Sequence, residues 1–160
     1  MQTAIFQTVF AGVAVFVLGQ IVLKLVIDPV QQLKRTIGEV SFALAFYANV
    51  YTNPGIPKPE LMDEASTKLR QLACQVAADL RVIPLYRHVR LLFALPSYEN
   101  ILSAQASLIG LSNGVFGTIH NGLAVNITKS QTVADALGIR IPPNERVPDD
   151  LLKKMMEHSE

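Results

Sequence analysis

A chain of 160 residues with 14 basic and 13 acidic side chains has a formal net charge of +1, so it offers no field to gather nucleic acid. Half of its residues are hydrophobic and only 17% are charged, below the roughly 25% usual for soluble domains. The lone cysteine, Cys74, excludes an internal disulfide and suits a reducing compartment.

Residues 4–27 read AIFQTVFAGVAVFVLGQIVLKLVI, with Lys24 the one charge among them. A helix of that length, at about 1.5 Å per residue, crosses the roughly 30 Å hydrocarbon layer of a bilayer with length to spare. A cleaved signal peptide is the competing reading, but it begins with basic residues and has a shorter apolar core of about 7–15 residues. Here no Lys or Arg precedes the run, and the nearest cleavage-like triplet, Ala43-Leu44-Ala45, lies far beyond it. The expectation is an uncleaved anchor. Its flanking bases, Lys24, Lys34 and Arg35, all lie towards its C-terminal side. Basic flanks stay cytoplasmic, which puts the N-terminus outside the cell membrane and the remaining chain inside.

Apolar periodicity continues past the anchor. Val30, Leu33, Ile37, Val40, Leu44, Tyr47 and Tyr51 alternate spacings of three and four, the heptad pattern of an oligomer seam. Traced backwards, the same face meets Val26, Leu23, Gly19, Phe16, Gly12, Val9 and Ile5. Either one long helix or two helices joined at Asp28-Pro29 can keep that face. Pro29 should kink or restart the helix, with Asp28 as N-cap and Pro29 in the first helical position. The stretch VSFALAFYANVY, residues 40–51, is apolar on nearly every side and predicts burial all round, as the central helix of the cytoplasmic core or as an inter-subunit seam, two readings that are compatible.

TNPGIPKP, residues 52–59, is a loop by its Pro and Gly content. Residues 60–82 predict an amphipathic helix with Leu61, Ala65, Leu69, Leu72, Val76, Leu80 and Ile83 on its apolar stripe. Acids Glu60, Asp63 and Glu64 open that helix and Arg81 closes it, each favourable against the helix dipole. Pro84 interrupts, a short helix 85–95 follows, and Ser97 caps the next helix, 98–113. Ser103, Ala106, Ser107, Gly110, Gly114 and Gly117 give that helix a small-residue face suited to close helix packing. No charge occurs in residues 100–128, which raises a second membrane span; Gln105, Asn113, Asn121 and Asn126 argue for a buried helical hairpin turning near residues 117–122 instead. A last core helix, 123–137, ends at Gly138 as a left-handed cap. An extended arm with three prolines follows, then a short charged helix, 149–157, expected to fray. The divisions are thus 1–28 anchor, 29–138 cytoplasmic α-helical bundle, and 139–160 arm and terminal helix: an all-α chain with a single N-terminal transmembrane helix continuing into a cytoplasmic bundle.

Chemistry-bearing patterns are sparse. Arg81, Arg87 and Arg90, with His88, interleave with apolar residues, and no acid lies between Asp79 and Glu99. Such a helix beside a membrane can rest on anionic headgroups; the plainer reading is a solvated basic face. Gln20 and Lys24 lie about 40° apart on the anchor, a candidate pore lining or polar helix contact, while Gln7 lies off that stripe. Lys24 is also near enough to the end to snorkel. Gly12 and Gly19 share a small face with Thr8 and Ala11. His88, His120 and His158 are scattered, with no metal-ligand spacing. Asp79 and Glu99 are a carboxylate pair only if the fold joins them, and Cys74 reads as a buried small hydrophobe. No phosphate-binding glycine motif is present.

These patterns predict a membrane-anchored, non-enzymatic assembly or scaffold protein. It would form a homo-oligomer through the heptad seam or serve as a small subunit of a larger membrane complex. Membrane lipid is its expected partner, with neither cofactor nor metal. Alternatives are a small homo-oligomeric ion channel lined at Gln20 and Lys24, and a membrane-tethered enzyme, the latter weakened by missing acid/base and nucleophile signatures. Reporter fusions at positions 55 and 160 should report the same, cytoplasmic side; opposite sides would make residues 100–128 a second span.

Overall fold

The computed structural model describes residues 2–117 and 121–157. Among the described residues the regular elements are all helical. Helix α1, Gln2–Val22, passes through a π-helical turn at Leu23–Ile27 and on into α2, Asp28–Phe46. Pro29 explains the turn. It has no N–H to donate to the carbonyl four residues back, and its ring presses on that carbonyl. Widening the ladder locally, with the Asp28 N–H bonded to the Leu23 carbonyl five residues back, lets the helix absorb the defect without breaking. The expected restart is thereby corrected. Asp28 has helical angles, φ −59° and ψ −48°, and is not an N-cap. Its carboxylate instead accepts from the Lys24 ammonium at 2.9 Å, one helical turn back.

After Tyr47 interrupts α2, a short α3 spans Ala48–Tyr51. The loop 52–58 leads to α4, Pro59–Val82, which opens with a proline where no helical N–H is needed. Two hydrogen bonds set its direction. Thr36 Oγ1 donates to Asp79 Oδ2 at 2.5 Å, and Tyr47 Oη donates to Glu64 Oε1 at 2.8 Å. Later residues of α2 meet earlier residues of α4, so α4 runs back towards the end where α1 enters. Pro84 then forces Ile83 to extended angles and stops α4. Helix α5, Tyr86–Phe93, crosses over to α6, Tyr98–Gly114, which Ser97 caps by accepting from the Asn100 N–H at 3.0 Å. Helix α7, Gly122–Leu137, ends at Gly138 with φ +71°, as its sequence predicts. Helix α8, Asp149–Glu157, closes the described chain.

Helices α2, α4, α6 and α7 pack in that order, and α2 and α3 also reach α7. Val30, Leu33, Val40, Leu69, Leu72, Val76, Ile101, Leu108, Leu111 and Val133 have no solvent exposure and belong to one core. The amphipathic stripe of α4 is where the sequence places it, with Leu61 at its partly buried rim. At the α6–α7 contact, a Cβ on Gly114 would overlap the amide of Asn126. Asn126 Nδ2 donates to the Tyr51 and Gly114 carbonyls at 2.9 and 3.1 Å, tying α3, α6 and α7 together. Gly117, φ +70°, lies against Gly55 in the 52–58 loop, where a Cβ would meet the Pro54 carbonyl. The Gly55 N–H donates to the Val115 carbonyl at 2.9 Å.

As expected of a buried segment and not of a second span, α6 contributes Ile101, Ala104, Leu108 and Leu111 to the core between α4 and α7. Several other expectations change. The centre of the expected hairpin turn, residues 118–120, lies outside the described residues. Cys74 is exposed on the outer side of α4, because the neighbouring Leu72 and Ala73 occupy its inward face. Burial over residues 40–51 is one-sided, since Phe42 and Phe46 point away from the core. The terminal helix is docked through Leu152, which is 3% exposed, and the Asn121 amide donates to the Met156 carbonyl at 2.9 Å. Gly114→Ala should lower stability by about 1–3 kcal/mol, the usual range for overpacking a tight contact. Chemical denaturation checks this, and an unchanged midpoint would mean that the helices separate without cost.

Candidate functional site

The outward surface that needs explaining starts with α1. Among the described residues one continuous helix, Val9–Phe46, is long and apolar enough to cross a membrane, and no described residue covers its most apolar window. Phe6, Phe10, Phe16 and Leu18 stand more than 60% exposed, an apolar surface that a protein in water would bury. Gly12 and Gly19 have no neighbour within reach of an added Cβ, so the small face of the helix is open. Gln20 and Lys24 are exposed and share their stripe with Asp28, whose carboxylate pairs with Lys24. That ion pair alters the charge logic of a pore. A ring of Lys24 ammonium groups would come with a ring of Asp28 carboxylates one turn away, so the mouth would not carry an uncompensated positive charge.

The predicted oligomer seam has a different place from the one its periodicity suggested. Val30, Leu33, Val40, Leu44, Tyr47 and Tyr51 are all buried inside the single chain, and Ile37 packs partly buried against them. Their burial needs no second copy: α4 and α7 supply it. Heptad spacing marks a helix with one apolar face and does not distinguish an intrachain partner from an interchain one. What α2 leaves outside is a ridge near its far end, where Phe42 and Phe46 are 63% and 57% exposed, their rings stacked with centroids 5.4 Å apart. Beside the ridge, a groove of about 630 Å³ runs between α2–α3, α7 and the 139–148 arm, with Ala45, Ala48, Ile127, Ala134, Ile139 and Ile141 in its walls.

The arm that closes this groove is held by contacts that no sequence signal marked. Gln131, 6% exposed, donates from Nε2 to the Val147 carbonyl at 3.0 Å and accepts the Val147 N–H at 3.3 Å, imitating a strand pairing with one side chain. Arg146 meets Asp135 with both nitrogens, at 2.7 and 2.6 Å. The Arg146 hydrogen bonds hold the Asp135 carboxyl below its ordinary range, and Asp135 in turn raises Arg146. Because Asp135 is depressed in the fold, its contribution is complete above the ordinary carboxylate pKa and is lost as pH falls through the lower, folded value. Both partners are well exposed, so solvent screens the pair and it contributes little to stability.

The three arginines of the basic stretch do not behave alike. Arg81, at the end of α4, and Arg87, on α5, are exposed. Arg90 is half-buried, and its charge bears on Tyr86 and Glu99. Tyr86 Oη donates to the Pro96 carbonyl at 2.7 Å, and burial pushes its pKa up to about 12. Tyr86, Val89 and Phe93 seat α5 on the core, while Leu91 and Leu92 point outwards, 74% and 80% exposed.

Groups with catalytic potential have structural partners instead of one another. Asp79 accepts from Thr36, and Glu99 sits by Ser97 at the start of α6, where local hydrogen bonds hold its pKa down. Tyr47 and Tyr51 are both raised, chiefly by burial. Among the described residues no three His, Cys, Asp or Glu side chains gather as a metal site. His88 is exposed on α5, and His120 and His158 lie outside the described residues. Comparison with known proteins adds no assignment: no family model, no curated protein and no solved structure matches the chain.

Gln131→Ala should release the arm, because it leaves the Val147 N–H and carbonyl without partners. Amide exchange at Val147 should rise by an order of magnitude or more, for a loss of about 1–3 kcal/mol. Arg146→Ala, which removes only the exposed pair, should raise it far less. Equal effects would mean that the ion pair and not the buried amide secures the arm.

Proposed function

We propose that the protein is a membrane-anchored, non-enzymatic assembly protein, with α1 spanning the cell membrane, the N-terminus outside and the helical domain in the cytoplasm. The observation that carries this reading is α1 itself, apolar over most of its length and without a charged residue, and covered by no described residue. Its continuity with α2 supports a rigid mount, since a helix that does not break at the membrane surface fixes the domain's height and tilt. The orientation rests on Lys24, Lys34 and Arg35, the bases that follow the apolar run. In this reading Lys24, neutralised by Asp28, sits at the inner interface as an anchor of the helix end.

Self-association in this proposal uses the surfaces that remain open. The small face at Gly12 and Gly19 suits close packing of two spans. The Phe42–Phe46 ridge suits contact between domains, because stacked exposed aromatics are characteristic of interface anchors. A subunit role in a larger membrane complex would use the same faces against a different chain. The ion-channel alternative loses its favoured lining residue to the Lys24–Asp28 pair, and no constellation among the described residues favours an enzyme over an assembly role.

Native mass measurement of the detergent-solubilised full chain tests the proposal. The expected result is a discrete homo-oligomer that Phe42→Ser with Phe46→Ser converts towards monomer while helicity is retained. Leu44→Glu, by contrast, should reduce helicity and stability, because it puts a charge into the chain's own core. A strictly monomeric wild-type protein would overturn self-association and leave only the accessory-subunit form of the proposal.

A further inference from the structure

We infer that α5 is an amphipathic foot that rests on the anionic headgroups of the same membrane α1 enters, so that the domain is held to the bilayer at two places. This inference rests on the reading of α1 as a span and names a second lipid site on the folded domain.

The placement follows from helix directions. Thr36, eight residues beyond Asp28, pairs with Asp79, three residues before the end of α4. At about 1.5 Å per residue, Thr36 stands about 12 Å past Asp28, and the end of α4 lies about 4.5 Å back from it, which sets the start of α5 within roughly 8 Å of the level of Asp28. Helix α6 leaves from the same end, because Arg70, well before the end of α4, donates to Asn113, near the end of α6, at 2.6 Å. Helix α5 is therefore the crossover at the end of the domain nearest α1. The end of α4 thus stands about one Debye length, about 8 Å at physiological salt, from the level of Asp28, so exposed arginines there would feel a charged surface at that level.

The chemistry of the outward side fits that surface. Leu85, Leu91 and Leu92 are 77%, 74% and 80% exposed, Val82 precedes them at 65%, and exposed Arg81 and Arg87 flank them. Exposed leucines beside arginines, with no acid between Asp79 and Glu99, are what an interfacial helix presents to anionic lipid. A protein docking surface would more often carry aromatic anchors and complementary acids, and the aromatics of α5 are turned inwards instead. The presentation is also imposed. Leu85 and Ala94, neither of them glycine, take left-handed angles at φ 48° and 51° at the two ends of α5. Residues other than glycine adopt such angles at a cost, so the surrounding packing and the Tyr86–Pro96 hydrogen bond hold α5 in this attitude with its leucines out.

The test uses the full chain in vesicles, in a Cys74→Ser background, with an environment-sensitive fluorophore on one introduced cysteine at a time: Leu92→Cys on α5, Val15→Cys on α1, and Ile56→Cys in the 52–58 loop at the opposite end of the domain. Brominated lipid should quench position 15 in every membrane. It should quench position 92 in vesicles rich in phosphatidylglycerol, and position 56 in none. Arg81→Gln with Arg87→Gln should lower the docked-to-undocked ratio at position 92 about fivefold per arginine, and high salt should lower it likewise. Quenching at 15 without quenching at 92 overturns the foot and leaves the span standing; no quenching at 15 overturns the span on which the foot depends. A probe at 92 shielded from both brominated lipid and aqueous iodide would assign α5 to a protein partner. Quenching at 92 that is equal in phosphatidylcholine and indifferent to the arginines would overturn the recognition of anionic lipid.

Discussion

A proline inside a helix is the constraint on which the rest of this architecture depends. Pro29 deletes one hydrogen bond at the end of the apolar run, and the chain answers by widening one turn, Leu23–Ile27, instead of stopping. Because the helix does not stop, the exposed apolar α1 and the buried α2 are one rod. The face that ends up in the core, from Val30 onwards, belongs to the same rod as the surface left bare before Leu23. A break at this point would have joined the two parts by a flexible hinge. Continuity makes the domain's attitude relative to α1 a property of the helix itself.

From that rod the domain is assembled by return and crossover. Helix α4 comes back along α2, steered by Thr36–Asp79 and Tyr47–Glu64, and α6 goes out again beside it. The small residues of α6 let α7 approach until Gly114 lies against Asn126. The long hydrogen-bonding reach of Asn126 and Gln131 then fastens what apolar packing alone would leave loose: α3 to α7, and the arm to α7. Leucines and valines supply most of the core's burial, whereas these two amides select one arrangement of it, since a buried amide is tolerable only where its partners are. Asn126 is held there through its amide nitrogen alone: its carbonyl oxygen is the one buried side-chain nitrogen or oxygen without a hydrogen-bond partner among the described residues.

What the surface offers is as uneven as the sequence is. One end of the domain carries α5 with its outward leucines and arginines; towards the other lie the Phe42–Phe46 ridge and the groove beside it. Titratable groups are spent on structure: Asp79 on Thr36, Glu64 on Tyr47, Asp135 on Arg146.

Residues 4–27 determine by themselves that the chain has an apolar helix of membrane length, because hydropathy over a long run is a local property. Local signals also set the amphipathic stripe of α4, the Ser97 cap, the Gly138 terminus and the breaks at the 52–58 loop and Pro84. Only the tertiary structure decided which partner each apolar face meets. Val30 to Tyr51 have the spacing of an oligomer seam, yet α4 and α7 of the same chain cover them, and periodicity is identical in the two cases. Asp28 carries every mark of a cap, but a cap requires the helix to end, and Lys24 one turn back supplied another use for its charge. Cys74 and Phe42 look like core residues by composition and stand outside, because a helix in a layer of helices buries a face and not a residue type. The same holds for Leu91 and Leu92. Their hydrophobicity is written in the chain, and their exposure exists only because Tyr86, Val89 and Phe93 took the inward side of α5.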